Sequence, residues 1–172
     1  MEDLIYNQRE IPAGQWRYGF RSSAAVGCGW IATYNALRLM GYKAEPEGLI
    51  RYFELQLPLI HGNTGTSFWG PALYFKKWGF PVEITLKRER FDDAARASDV
   101  SILFYHWKKG YKMGAHFVAV KYMGDGFIGC NTFRNSQGPD LYGGSLETFM
   151  QKRKFFGAVL ISIRDKRLAR GE

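Results

Sequence analysis

The feature that most limits what this chain can become is a change of period near residue 80. Before it, apolar residues recur at helical spacing. Between residues 28 and 40 they fall at positions 30, 31, 34, 37 and 40, one stripe of a helix, and Gly41 stands where a C-terminal cap belongs. Residues 46–56 read as a second helix, with Pro46 suited to the first turn and Leu49, Ile50 and Phe53 on one face. A third runs from about 67 to 78, with Thr66 or Ser67 as cap and Gly79 as stop. After residue 80 the chain turns to short runs rich in β-branched and aromatic residues, at 82–86, 100–105, 116–122, 126–131 and 156–163. A helical turn at 91–97 separates the first two, and 145–153 reads as a capped helix before the last. Gly124-Asp125-Gly126 marks a hairpin turn. Helices first and an antiparallel meander afterwards describe an α+β domain.

Length and composition set the outer limits. The 172 residues fit one domain spanning 1–172, with a basic C-terminal tail at about 164–172. A chain that is 46% hydrophobic and 16% aromatic can offset the ordering entropy of a core, which excludes global disorder. No apolar run approaches the ~20 residues of a membrane span. The Met1-Glu2-Asp3 start lacks the basic and apolar regions of a signal peptide, and two cysteines cannot staple a small secreted scaffold. The expectation is a soluble, cytoplasmic protein.

The net charge of +8 is uneven. Residues 151–172 hold seven basic and two acidic side chains, a balance of +5, which leaves +3 for the first 150. Such a tail suits an anionic partner, or is simply a solvated end that keeps the protein soluble. No zinc-finger spacing, aromatic RNA-binding signature or basic heptad helix accompanies it, so nothing specific to nucleic acid is expected.

Cys28 lies in Gly27-Cys28-Gly29-Trp30, where a glycine-flanked loop enters the first helix. A thiol attacks only as thiolate, and a helix N-terminus offers partial positive charge and free N–H groups that favour an anion. Those N–H groups can also serve an oxyanion in acyl transfer. The local sequence fits an ordinary buried helix-start cysteine equally well.

Three histidines could act as its base. His116 opens a strand in Gly114-Ala115-His116-Phe117-Val118, His106 ends the preceding strand beside Trp107, and His61 sits in a glycine-rich loop that reads as a turn. The hairpin separates them. If Tyr122 faces Phe127 across the turn, His116 and Asn131 become diagonal neighbours, close enough for side chains to meet. A register shifted by two would set them directly opposite. Either way Cys130 faces the other side of the sheet. An amide oxygen beside an imidazole accepts the ring N–H and fixes its tautomer. Cys28, His116 and Asn131 therefore satisfy the logic of nucleophile, base and orienter.

These blocks resemble the papain-like cysteine peptidase superfamily, closest to its bacteriocin-processing, double-glycine leader peptidase branch. Gly65-Thr66 ahead of an amphipathic helix resembles that branch too. The resemblance spans roughly residues 5–163. It implies a papain-like fold in which the Cys helix packs on an antiparallel sheet carrying His and Asn. It also implies Cys28 as nucleophile, His116 as general base and acid, and Asn131 as orienter. One element departs. The family's oxyanion-hole Gln, six residues before the nucleophile, is here Ser22. Either Ser22 or Ser23 substitutes, or a distant Gln15 or Gln8 folds back, or the chemistry is weakened.

The expected activity is hydrolysis of a peptide or related amide bond in a peptide or protein substrate through a thioester, with no cofactor and no metal. The two cysteines and the histidines lack any short-spaced ligand pair, and Gly62-Asn63-Thr64-Gly65-Thr66 lacks the spacing and Lys of a phosphate loop. Two alternatives stand beside it. One is an acyl or amide transferase using the same nucleophile; the other is a catalytically silent papain-like binding module.

Overall fold

The computed structural model of the chain describes residues 4–55 and 65–169. A two-stranded ribbon, β1 (Arg17–Tyr18) and β2 (Arg21–Ser22), leads into a single helical turn, α1 (Ser23–Val26). Gly27 then joins α1 to α2 (Cys28–Leu39). Every residue of α2 from Gly29 to Leu37 is buried, as expected of a helix surrounded by core. Its buried Asn35 is satisfied by a reciprocal pair of bonds with the Ile5 main chain, at 2.9 and 2.8 Å. Helix α3 (Pro46–Leu55) and helix α4 (Gly70–Lys77) pack beside it. Both α2 and α4 stop at a glycine with positive φ: Tyr42 N–H bonds the Leu37 carbonyl past Gly41, and Phe80 N–H the Phe75 carbonyl past Gly79.

The third helix begins three residues later than the sequence suggests. Thr66 does not cap it, because its hydroxyl is bonded to the Tyr18 hydroxyl at 3.0 Å; Pro71 sits instead in the first turn.

The remaining α-helices and β-strands among the described residues are β3 (Val82–Thr85), α5 (Phe91–Arg96), β4 (Val100–Lys109), β5 (Lys112–Tyr122), β6 (Phe127–Cys130), β7 (Asp140–Gly143), α6 (Leu146–Arg153), β8 (Phe156–Ile163) and α7 (Lys166–Ala169). The main sheet is antiparallel, in the order β3-β8-β4-β5-β6-β7. Its faces cover two cores. Ile102, Phe104, Phe117, Ala119 and Ile161 point to α2, whereas Leu103, Tyr105, Val118, Val120 and Leu160 point to α5 and α6. The expected meander is corrected here: β8 inserts between β3 and β4. Residues 158–163 are buried without a break, so both faces of this strand need cover, which an interior position supplies. The half-exposed β3 takes the edge.

Residues 164–167 are tied to the body of the fold. The carboxylate of Asp165 accepts from the Tyr42 hydroxyl at 2.6 Å and pairs with Arg167, which also donates to the Met40 carbonyl at 2.6 Å. No helix among the described residues is long and apolar enough to cross a membrane.

Candidate active site

The start of α2 is crowded on both sides of Cys28. A Cβ on Gly27 would lie 2.6 Å from the Ser23 carbonyl oxygen, and one on Gly29 would lie 2.3 Å from Thr66 Oγ1. Only hydrogen fits at either position, which seats the helix end directly against Thr66. The Cys28 side chain is half-buried and its thiol is free. Burial pushes the thiol above its ordinary value. The nearby main-chain N–H groups of Phe117, Cys28 and Gly29 pull the other way without overcoming it. Phe117 follows His116 in β5, so Cys28 stands near the histidine-bearing strand.

His116 is half-buried, with its ring edge to that of Tyr105. Its Nε2 lies 2.6 Å from the main-chain carbonyl of Asn131. A carbonyl can only accept, so Nε2 carries the proton and Nδ1 keeps its lone pair. Burial moves the His116 pKa down, and the bond to Asn131 only partly opposes that. Both directions favour an uncharged thiol and imidazole at neutral pH.

The expected strand register is observed: Tyr122 faces Phe127 and Ala119 faces Cys130. Yet the Asn131 amide does not orient His116. Directly after β6 the residue takes a left-handed conformation, φ 69°, which aims its own carbonyl at the imidazole. The side chain, 2% exposed, turns to Gln8. Its Oδ1 accepts the Gln8 main-chain N–H at 2.9 Å, and its Nδ2 donates to Gln8 Oε1 at 3.0 Å.

Gln8 is thereby brought in from 20 positions before Cys28, and its own Nε2 donates to the Ala24 carbonyl at 3.1 Å. No local spacing in the sequence marks it. Gln15 is exposed and lines a surface pocket with Tyr6, Trp16 and Gln137, a pocket whose lining includes neither Cys28 nor His116. Ser22 ends β2 and makes no side-chain capping bond to α1. Ser23 is buried and accepts from Trp30 Nε1 at 3.1 Å. His106 stacks on Phe156 and contacts the Gly157 carbonyl, and His61 lies outside the described residues. Cys130 is fully buried, its thiol pushed up to about 12 chiefly by that burial.

No protein-family model and no curated protein matches the chain. Among solved structures, the peptidase domain of Streptococcus ComA, a bi-functional ABC transporter involved in a quorum-sensing pathway, matches with a TM-score of 0.51. The match covers 78% of this chain and 90% of that one, at 17% identity. The fold is papain-like. A buried helix that begins at a cysteine and packs on an antiparallel sheet bearing a histidine is what the sequence resemblance implied, and Thr66 of the Gly65-Thr66 pair is the residue pressed on Gly29.

Proposed function

We propose that this papain-like domain hydrolyses peptide or related amide bonds through Cys28 and His116. The observation that carries this reading is the Cys28 thiol at the start of α2, near enough to the Phe117 main-chain N–H to feel it, with the next residue of β5 a histidine held at Nε2 by the Asn131 carbonyl. With both groups uncharged at rest, His116 Nδ1 takes the thiol proton as the sulfur attacks the carbonyl carbon. The oxyanion is held by the Cys28 N–H and a second donor. The C–N bond then breaks as the imidazolium returns its proton to the leaving amine. Water, deprotonated by the same imidazole, opens the thioester and regenerates the thiol.

Gln8 is the best-supported second donor. Its amide is held between Asn131 and the residue four before the nucleophile, and its Nε2 exchanges the Ala24 carbonyl for the oxyanion. The test is hydrolysis of a fluorogenic peptide library by the full chain. Cys28→Ala is expected to lose activity by about 10⁴-fold or more, and Gln8→Ala by about 10²–10³-fold in kcat. Full activity in Cys28→Ala would end the proposal.

The raised thiol and lowered imidazole also fit a silent binding module. In that case the native chain cleaves nothing in the library.

A further inference from the structure

Strand β5 outruns its neighbour. It begins at Lys112, yet β6 pairs only with Ala119–Tyr122. In an antiparallel ladder a residue's N–H and C=O point to the same side, and successive residues alternate sides. Met123 N–H donates to the Gly126 carbonyl at 2.8 Å, so the odd-numbered residues of β5 face the β6 side. Phe117 N–H, on that side, lies near the Cys28 sulfur. The next two sets of peptide groups outward, those of Ala115 and Met113, have no backbone partner among the described residues, and both residues are exposed.

The open edge runs from the reacting sulfur to a basic hairpin tip. Lys109 pairs with Lys112 across the Gly110-Tyr111 turn, and Lys108 with Met113. The sequence holds no acidic residue between Asp99 and Asp125, and none of the three lysines has a carboxylate partner among the described residues. Because paired residues share a face, Lys109 and Lys112 stand on the face that carries His116, whereas Lys108 and Met113 stand on the other.

We propose that this edge receives the substrate as an added strand: an extended peptide whose main chain bonds Ala115 and Met113 and whose acidic side chains meet Lys109 and Lys112. At ~3.3 Å per residue those side chains fall about three to five positions from the reacting carbonyl. Main-chain bonds supply affinity for any extended sequence, and the lysines select acidic ones by charge. An anionic membrane is the lesser fit, since it has no use for the unpaired edge groups. The location of the reacting carbonyl rests on the peptidase reading; the edge and its charge do not.

Two measurements on the full chain test it. In the first, fluorogenic peptides randomised at the centre carry Asp-Glu-Asp or Lys-Arg-Lys at one end or the other. The acidic set should be cleaved with kcat/KM about ten-fold higher, an advantage that shrinks with salt, and Lys109→Glu/Lys112→Glu should invert the ratio. In the second, Cys28→Ala protein is mixed with the acidic peptides and the exchange of the Ala115 and Met113 amides is followed by NMR. Protection of about ten-fold is expected, and it should vanish when the peptide main chain is N-methylated. Equal cleavage of both sets together with unprotected amides overturns the inference, as does protection by phosphatidylserine vesicles but not by peptide. Protection by acidic peptide with no cleavage by native protein upholds the edge and rejects the peptidase.

Discussion

Asn131 divides its two polar ends between two neighbours: the carbonyl serves His116 and the amide serves Gln8. The division makes a sharp prediction. Asn131→Gly keeps access to a left-handed φ and so keeps the carbonyl on His116, while losing both bonds to Gln8. The imidazole tautomer, read from its ¹⁵N shifts, should be unchanged while activity falls as in Gln8→Ala. Asn131→Ala adds the cost of forcing a Cβ residue into that conformation, about 1–2 kcal/mol, and should unfold at lower temperature than the glycine variant. If the amide oriented His116, the glycine variant would disturb the tautomer. Titration offers a second check. The lowered pKa of His116 leaves its base form available at pH values where an ordinary histidine, near 6.5, is already charged. The acid limb of kcat/KM should therefore lie below 6.5, with activity lost as pH falls through the lowered value. In the native protein iodoacetamide should label Cys28 alone, at a rate that climbs with pH past 9 without a low-pH plateau. Labelling of buried Cys130 would contradict the packing of β6.

At the scale of elements, the start of α2 depends on how closely its backbone approaches Thr66. Gly29→Ala inserts a methyl where Thr66 Oγ1 stands 2.3 Å away, an overpacking worth about 1–3 kcal/mol. A lowered Tm is expected, partly restored when Thr66→Gly is added; no change in Tm would refute the contact. Helices α2 and α3, the β5–β6 register and the capped α6 were legible because each is encoded by residues close in sequence. The helical stripe ends at Gly41, the turn sits at residues 124–126, and Ser145 accepts from Thr148 N–H at 3.2 Å. Less was legible where the pattern thins. Strand β7 is Asp-Leu-Tyr-Gly, without β-branched residues, and the β4–β5 arm beyond Tyr105 and before His116 is exposed and lysine-rich, so neither shows an apolar alternation.

At the scale of the molecule, two cores lie on opposite faces of one sheet, and the C-terminal residues close the end of α2. Asp165 is held well below the usual carboxylate range, first by the Arg167 hydrogen bond and then by the Tyr42 hydroxyl, against the opposing effect of burial. A depressed carboxylate contributes stability that is present above its ordinary value near 3.8 and is lost as pH falls through the depressed one. Asp165→Asn should lower Tm at neutral pH, and the gap from the native protein should close in acid; a constant gap would show that charge is not the cause. The sequence by itself determined the period of each half, the helix that begins at Cys28, and the strand that bears His116. Each follows from side-chain pattern and backbone preference within a few residues. Only the tertiary structure decided that β8 runs between β3 and β4, that Gln8 reaches the site, and that a carbonyl rather than an amide holds His116. Those outcomes depend on contacts between residues 15 to 123 positions apart, and on a left-handed turn at Asn131 that no neighbouring residue announces.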